Sequence, residues 1–319
     1  MKNKLLSIVI PTFNRAEFLD SSLEIHIPIL KKYNIEICIF DNASTDNTEQ
    51  VIKKWMKEYN YLSYHRHEEN VGGIINFEYS LKHPETEYIW LIGDTYEIQE
   101  NMVGYVLDII NNTPTVLDAI VLNLDYKIDI PTKNYSDKNL LLNDLGALMT
   151  CAAVSILNKN MINEETLRRY RTVWFTHTAI IFEYIADKGF LIHWAQTESI
   201  IGLKNEKLRK TNWSHTPKAF EVGCEDWTNF VMSLPPSYKI NNKMKCIMDF
   251  GEVSGLFKLK SLLNMRGDDI LNYRVYKEYK NLIPLIISYH KFFIMSISVT
   301  PKFIPRMIRY FYMLSKKFK

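Results

Sequence analysis

Two clusters of polar residues in this chain each follow directly on an apolar run of β type. Ser7-Ile8-Val9-Ile10 leads into Pro11-Thr12-Phe13-Asn14-Arg15, and Ile37-Cys38-Ile39-Phe40 leads into Asp41-Asn42-Ala43-Ser44-Thr45-Asp46. A carboxylate directly off a strand, as Asp41 is, can accept hydrogen bonds from the base or ribose of a nucleotide. Thr12, Asn14 and Arg15, with Asp41 and Asp46, would line one wall of a cleft. Pro11 has no N–H, so the first loop is no phosphate cradle of backbone donors. The plainer alternative for the second cluster is turn and helix-cap chemistry.

Four further groups carry chemical potential. Glu69-Asn70-Val71-Gly72-Gly73 opens toward Asn76; paired glycines let backbone approach a ligand, and a helix start favours an anion. Gly93-Asp94-Thr95-Tyr96-Glu97 offers two carboxylates, hard oxygen ligands suited to magnesium or manganese. Phe175-Thr176-His177 presents a histidine whose unperturbed pKa of about 6.5 suits a general base. Glu225-Asp226, in Gly223-Cys224-Glu225-Asp226-Trp227, is a rival acidic pair late in the chain. Lys204, Asn205, Arg209, Lys210 and His215 form a basic, polar stretch that either closes over a diphosphate or is a solvated loop.

The elements that must position these groups alternate between strand and helix. Strands are predicted over 5–10, 35–40, 61–66 and 88–92, and helices over Arg15 to Lys32, from Ser44 or Thr45 to about Tyr59, and from Gly73 to Leu81. Such alternation argues a parallel, doubly wound sheet, which binds ligands beyond the carboxyl ends of its strands. Later come a helix near 100–112, a strand from Asp118 to Tyr126, a polar loop over 127–139, a β-like run over 149–157, a helix over 163–188 and a strand at 190–194. From about 216 the pattern is helical almost throughout.

Pro11-Thr12-Phe13-Asn14-Arg15 and Asp41-Asn42-Ala43-Ser44-Thr45-Asp46 together resemble the nucleotide-binding half of a family 2 glycosyltransferase of the GT-A type. Gly93-Asp94 and Phe175-Thr176-His177 are similar to the O-antigen, abequosyltransferase-like branch. The resemblance covers roughly residues 5–200. It implies a GT-A catalytic domain over 1–212, with a nucleotide-binding half (1–98) and an acceptor half (99–212), followed by a helical region over 213–319. It further implies transfer of a sugar, with inversion, from a nucleotide-sugar donor of UDP type to a growing surface glycan or lipid-linked oligosaccharide. In that scheme Asp41 holds the base, and Pro11, Thr12, Asn14, Arg15, Asn70, Gly72, Asn76 and Lys204 shape the donor pocket. Asp94, alone or with Glu97, holds Mg2+ or Mn2+ against the diphosphate, and His177 or Asp226 takes the acceptor's proton. Family members carry an Asp-x-Asp run where this chain has Asp94-Thr95-Tyr96, so a metal-free enzyme and a non-catalytic binding or assembly subunit are the alternatives. A dehydrogenase is excluded, because Pro-Thr-Phe-Asn-Arg stands where Gly-x-Gly-x-x-Gly is needed.

Composition sets the remaining bounds. With 47% hydrophobic and 24% charged residues over 319 positions, the chain can bury a substantial core. Its net charge of +3 is uneven: eight basic residues and no Asp or Glu follow from Lys280 onward, leaving the first 279 residues at −5. An acidic body with a basic, apolar, proline-broken tail does not suit nucleic acid and does suit peripheral contact with a membrane surface, or else helices packed with lysines outward. The four cysteines show no zinc spacing and read as buried, reduced thiols. The N-terminal apolar run is cut short at Pro11, and no run reaches the roughly 18–20 residues of a spanning helix. The expected location is therefore cytoplasmic, at the inner face of the plasma membrane, with a homodimer open to the helical C-terminal region.

Overall fold

The computed structural model describes residues 2–203 and 213–317. The chain divides into two compact units, Met1–Leu141 with Leu148–Leu208, and Leu142–Ala147 with Arg209–Lys319. Lys204, Asn205, Arg209 and Lys210 lie outside the described residues.

The first unit is built on a nine-stranded sheet. Its strands are β1 (Leu6–Thr12), β2 (Glu36–Asp41), β3 (Leu62–Arg66), β4 (Tyr88–Leu91), β5 (Tyr96–Glu97), β6 (Ala119–Leu124), β7 (Lys133–Tyr135), β8 (Ser155–Asn158) and β9 (Ile192–Gly202). They run in the order β3-β2-β1-β4-β8-β6-β9-β5, with β7 added on β9. β1 pairs in parallel with both β2 and β4, and β2 with β3. The residues of β1, β2 and β4 are almost all buried, which is why their runs are apolar on both faces rather than alternating. β8 is antiparallel to β4 and β6 and joins the parallel half to the β6–β9 pair, which is itself parallel.

Helices α1 (Ala16–Lys31), α2 (Thr48–Glu58) and α3 (Gly73–Lys82) make the crossovers between the first four strands, α4 (Met102–Asn112) follows β5, and α5 (Lys138–Leu145) follows β7. The doubly wound, mostly parallel sheet expected from the sequence is present. Three local readings are corrected. The loop over 127–139 contains β7, whose Lys133, Asn134 and Tyr135 pair with Trp194, His193 and Ile192. The run over 149–157 is extended only from Ser155, because 3₁₀ turns occupy Leu148–Thr150 and Ala152–Val154. The single helix expected over 163–188 is two, α6 (Glu164–Arg169) and α7 (Thr176–Tyr184); the Thr176 hydroxyl bonds the carbonyls of Tyr170 and Val173 and fixes the break.

The second unit is helical, with segments that include Trp227–Ser233, Ile240–Ser254, Leu259–Gly267, Tyr273–Tyr279, Lys291–Val299 and Phe303–Lys317. Trp227, Phe230 and Phe250 pack in its core, where Trp227 stacks on Phe250 with centroids 5.4 Å apart. No described helix is long and apolar enough to cross a membrane.

A buried histidine ties α1 to the chain beyond β4. His26 Nε2 accepts the Ile98 N–H at 3.0 Å, so the ring proton is on Nδ1 and faces Ser22 Oγ at 3.1 Å. Burial lowers this imidazole to about 4. The folded state thus stays neutral where the unfolded chain is charged, and stability is lost as pH falls from about 6.5 toward about 4. For a shift of this size the loss reaches about 3 kcal/mol. Urea melts at pH 7.5 and 5 should show the decline. His26→Leu should be less stable at neutrality, by about 1–3 kcal/mol for the unpaired Ile98 N–H, yet show a shallower acid slope. An unchanged slope would contradict this assignment.

Candidate functional site

At the carboxyl edge of the parallel strands, the β1–α1 and β2–α2 loops are stitched together. The Asn14 N–H donates to Ser44 Oγ at 2.8 Å, and Asn14 Oδ1 accepts the Thr45 N–H at 2.7 Å. The Ala16 N–H, at the start of α1, donates to Asp46 Oδ2 at 3.0 Å, while Asp46 Oδ1 takes the N–H and hydroxyl of Thr48 at the start of α2. Burial would raise the Asp46 carboxyl, but these hydrogen bonds outweigh it and hold it below its ordinary value. The N-cap position of α2 is Asn47, which makes no side-chain cap bond; the first helical N–H goes to Asp46 rather than to Ser44 or Thr45, whose side chains are turned toward the first loop or toward Asp41.

Asp41 is fully buried. Its Oδ1 accepts both the N–H (2.9 Å) and the hydroxyl (2.5 Å) of Ser44, its Oδ2 accepts the Tyr64 hydroxyl at 2.8 Å, and Arg66 stands 3.7 Å away. Asn42, next along, reaches the third loop: its Nδ2 donates to Asn70 Oδ1 and its Oδ1 accepts the Val71 N–H, both at 2.9 Å. Asn70 Oδ1 also accepts the Gly72 N–H, and Gly72 holds a φ of 88° that only glycine adopts without strain. One turn into α3, Asn76 donates to the Phe40 carbonyl and faces His67.

Asp94 follows β4 and meets Arg15 at 2.6 Å, Nε to Oδ2. Burial pushes the Asp94 carboxyl above its ordinary range, and the Arg15 charge draws it back only in part. The Arg15 guanidinium also lies 4.0 Å over the Phe18 ring. Glu97 sits in β5, opposite Ile201 of β9.

These loops enclose a cleft of about 490 Å³. Pro11, Thr12, Arg15, Asn76 and His177 line it among the residues singled out from sequence. Asp41, Asn14 and Asn70 instead support its wall, and Asp94 is tied to it through Arg15. Thr12 Oγ1 is buried and has no hydrogen-bond partner among the described residues. His177, from α7, donates from Nε2 to the Thr150 carbonyl at 3.0 Å, and burial lowers it to about 4. Asp226 belongs to the second unit, at the end of the π-helical turn Glu221–Asp226; burial, then Glu221 and Glu225, raise its carboxyl. His215 is in a short 3₁₀ turn of that unit.

Sequence reasoning did not single out the apolar side of the cleft, made by Phe13, Ile74, Phe77, Val173 and Trp174. Its signal was available for two of them: Gly73, Ile74, Asn76 and Phe77 recur at helical spacing on one face of α3. The α6–α7 loop is held across from α3 by Arg171, whose guanidinium clasps the buried Glu78 carboxylate at 2.7–3.2 Å. Nothing local in the sequence marks that pair.

A model of the family described as glycosyl transferase family 2 matches residues 7–169. Among curated proteins, the chain is similar to the abequosyltransferase RfbV of Salmonella typhimurium, 44% identical over 92 residues that cover 28% of this chain and 27% of the relative. It is also similar to the glycosyltransferase GlyG of Streptococcus pneumoniae serotype 4, 30% identical over 102 residues covering 32% and 33%. The matched stretch thus spans about a quarter to a third of these relatives' length. Among solved structures it is similar to Staphylococcus aureus TarS 1–349 in complex with UDP-GlcNAc, at a TM-score of 0.54 and 16% identity over 87% of this chain and 83% of that one. The mannosyltransferase PcManGT from Pyrobaculum calidifontis, in complex with GDP-Man and Mn2+, also aligns at 0.54, with 13% identity over 93% and 86%. At these identities the likeness carries the fold, which is GT-A.

Asn14 tests the stitching of the loops, because its φ is 53° and its amide bridges them. Asn14→Ala loses the Thr45 bonds and places a Cβ-bearing, non-bonding residue at positive φ, while Asn14→Gly loses only the bonds. Denaturant melts should show both variants weakened, with alanine lower than glycine by about 1 kcal/mol. Alanine equal to the parent protein would mean that the bridge does not hold the loops.

Proposed function

The chain belongs to glycosyl transferase family 2, and we propose that it moves a sugar from a nucleotide-sugar donor to a hydroxyl of a growing surface glycan or lipid-linked oligosaccharide. The observation that carries this reading is the cleft at the strand ends, where the stitched loops, the start of α3 and the Asp94-bound Arg15 surround one volume. The relatives matched are named as transferases, which favours an enzyme over a non-catalytic subunit. RfbV is named as an abequosyltransferase, which supports a sugar as the group transferred.

Thr12 offers the donor a buried hydroxyl with no competing partner, and Phe13 and Phe77 offer ring faces. For Asp41 to accept a base N–H, the Tyr64 hydroxyl must give way; otherwise its part is to hold Ser44 and Tyr64, and with them the wall. A UDP-type donor is supported by the TarS complex with UDP-GlcNAc, against which stands the GDP-Man complex of PcManGT. The acceptor's lipid carrier would meet the basic, apolar C-terminal region.

A divalent cation fits here in one form only. Among the described residues, no three His, Cys, Asp or Glu side chains gather to hold an ion. Asp94 alone suits magnesium or manganese that takes the rest of its oxygen shell from diphosphate and water. Such an ion, when bound, supplies charge neutralisation on the leaving diphosphate. Arg15 already provides a fixed positive charge at that carboxylate.

Two groups compete for the acceptor's proton. His177 lines the cleft, but burial makes it a weak proton acceptor near neutrality, a loss that its bonds to the Thr150 and Met149 backbone offset only in part, and Nε2 is taken up by the Thr150 carbonyl. Asp226 is pushed toward the range in which a carboxylate works as a base, and it resides in the second unit.

Thermal melting against uridine, guanosine and cytidine diphosphates, with manganese, magnesium or chelator, tests the donor site. One nucleotide should raise the melting temperature, by about 2.7 kcal/mol of added stability at a hundredfold excess over Kd. Asp94→Ala should remove any further gain from metal. No shift with any nucleotide would overturn the donor reading.

Release of nucleoside diphosphate from the matching sugar nucleotide, followed against pH, separates the bases. If Asp226 is the base, Asp226→Asn should lower kcat about 100-fold or more and remove the acid limb, while His177→Gln should act mainly on KM. The reverse pattern assigns the proton to His177.

A further inference from the structure

The last helix of the second unit meets the protein through Pro305, Arg306 and Arg309 and leaves most of its apolar side chains exposed. At 100° per residue, Phe303, Ile304, Met307, Ile308, Tyr310 and Phe311 of Phe303–Lys317 fall within an arc of about 160°. Each of these six side chains is 39–61% exposed. The opposite side docks on the protein. Arg306 Nε donates to the Gly267 carbonyl at 2.8 Å, Arg309 grips both oxygens of Asp268 at 2.9 Å, and Pro305 is buried. Lys302, just before the helix, pairs with Asp269 at 2.7 Å. The preceding helix, Lys291–Val299, adds exposed Phe292, Phe293 and Val299. A folded unit that needed this helix only for its core would bury the apolar arc. Soluble proteins seldom expose so continuous an apolar face unless something covers it.

Charge selects the occupant. The chain from Lys280 onward holds eight basic residues and no acidic one. A second copy would bring an identical positive segment against the first. An anionic bilayer surface supplies the opposite charge together with an apolar layer in which the ring side chains sit. The helix is too polar on its docked side, and with its neighbours too short, to cross that layer.

We propose that the Phe303–Lys317 helix lies in the plane of an anionic membrane surface and buries its Phe303, Ile304, Met307, Ile308, Tyr310 and Phe311 side chains among the acyl chains. The ion pairs to Asp268 and Asp269 hold it in that attitude before the membrane is met, so binding does not require the helix to fold on arrival. Lys302 and Arg309 are engaged by Asp269 and Asp268, so phosphate headgroups meet other basic side chains of the segment, such as the exposed Lys280 and Lys291, and the acyl chains take the apolar arc. This inference concerns the second unit alone and stands or falls independently of the donor site.

The test is flotation of the full chain with vesicles of phosphatidylcholine, alone or mixed with phosphatidylglycerol. The protein should float with the mixed vesicles and far less with the neutral ones, and added salt should weaken it. The triple variant Ile304→Glu, Met307→Glu, Phe311→Glu changes only exposed positions and should keep its melting temperature, while its vesicle affinity falls at least about tenfold. In a separate Met307→Trp variant, fluorescence should shift to the blue on adding mixed vesicles. Absence of flotation, flotation unchanged in the triple variant, or an unshifted tryptophan would overturn the proposal. So would a concentration-dependent dimer abolished by the triple substitution, since that would give the apolar arc to a second copy.

Discussion

A carboxylate taken wholly out of water must have its lone pairs satisfied by the protein, and Asp41 is such a group. It meets the demand with the N–H and hydroxyl of Ser44 and the hydroxyl of Tyr64. Much of the cleft follows from that. Ser44, held from below, presents its oxygen to the Asn14 N–H; Asn14 then reaches Thr45, and Asp46 closes on the first turns of both α1 and α2. Two loops that arise some thirty residues apart thereby become one surface. Because each polar atom in the chain of bonds has a partner, a loosened member leaves another unsatisfied, and the cost is felt by the network rather than by one bond.

The Arg15–Asp94 pair extends the same logic to charge. Asp94 is nearly as buried as Asp41, yet its partner is a cation rather than a set of hydroxyls, and burial still raises its carboxyl. Asp94 therefore stays above its ordinary range even with the Arg15 charge 2.6 Å away. Arg15 is positioned there by α1, whose first turn is anchored by Asp46, and by the Phe18 ring beneath its guanidinium. The electrostatics of the site thus rest on the hydrogen-bond network just described.

The parts of this arrangement that the sequence displayed are the local ones. β1 and β2 are legible because central strands of a parallel sheet are apolar on both faces, and Asp41 and Asp94 because each stands directly beyond such a strand. Asp46 was legible as turn chemistry, but not as the acceptor of the first N–H of α2, since that depends on where Ser44 and Thr45 point. β8 was legible as the end of the β-like run over 149–157, but its start at Ser155 and its antiparallel place between β4 and β6 were not, and β7 was hidden because three residues paired to β9 look like loop. His177 could be found by its place at the start of α7. That it is neutral and committed to Thr150 depends on the turns at 148–154, which no motif announces. The Glu78–Arg171 clasp joins residues 93 apart, and long-range pairs of this kind are invisible without the fold.

The composition of the cleft has a consequence for recognition. Asn42, Asn76, Thr176 and His177 line it, yet each turns polar atoms to the protein itself: to Asn70 and Val71, to Phe40 and His67, to Tyr170 and Val173, and to Thr150. What they leave to an occupant is mainly shape, bounded by Phe13, Ile74, Phe77 and Trp174. An apolar wall separates ligands differing by one small group by only about 1–3 kcal/mol, whereas a site that must pair a buried polar atom can reject its absence far more strongly. Among the described residues the Thr12 hydroxyl has no hydrogen-bond partner, and the Arg15 guanidinium, which also lines the cleft, is held beside Asp94. Both follow the same strand end, so the donor role proposed above would draw its directional contacts from the first loop, and the bonds that fix that loop would also set the selectivity.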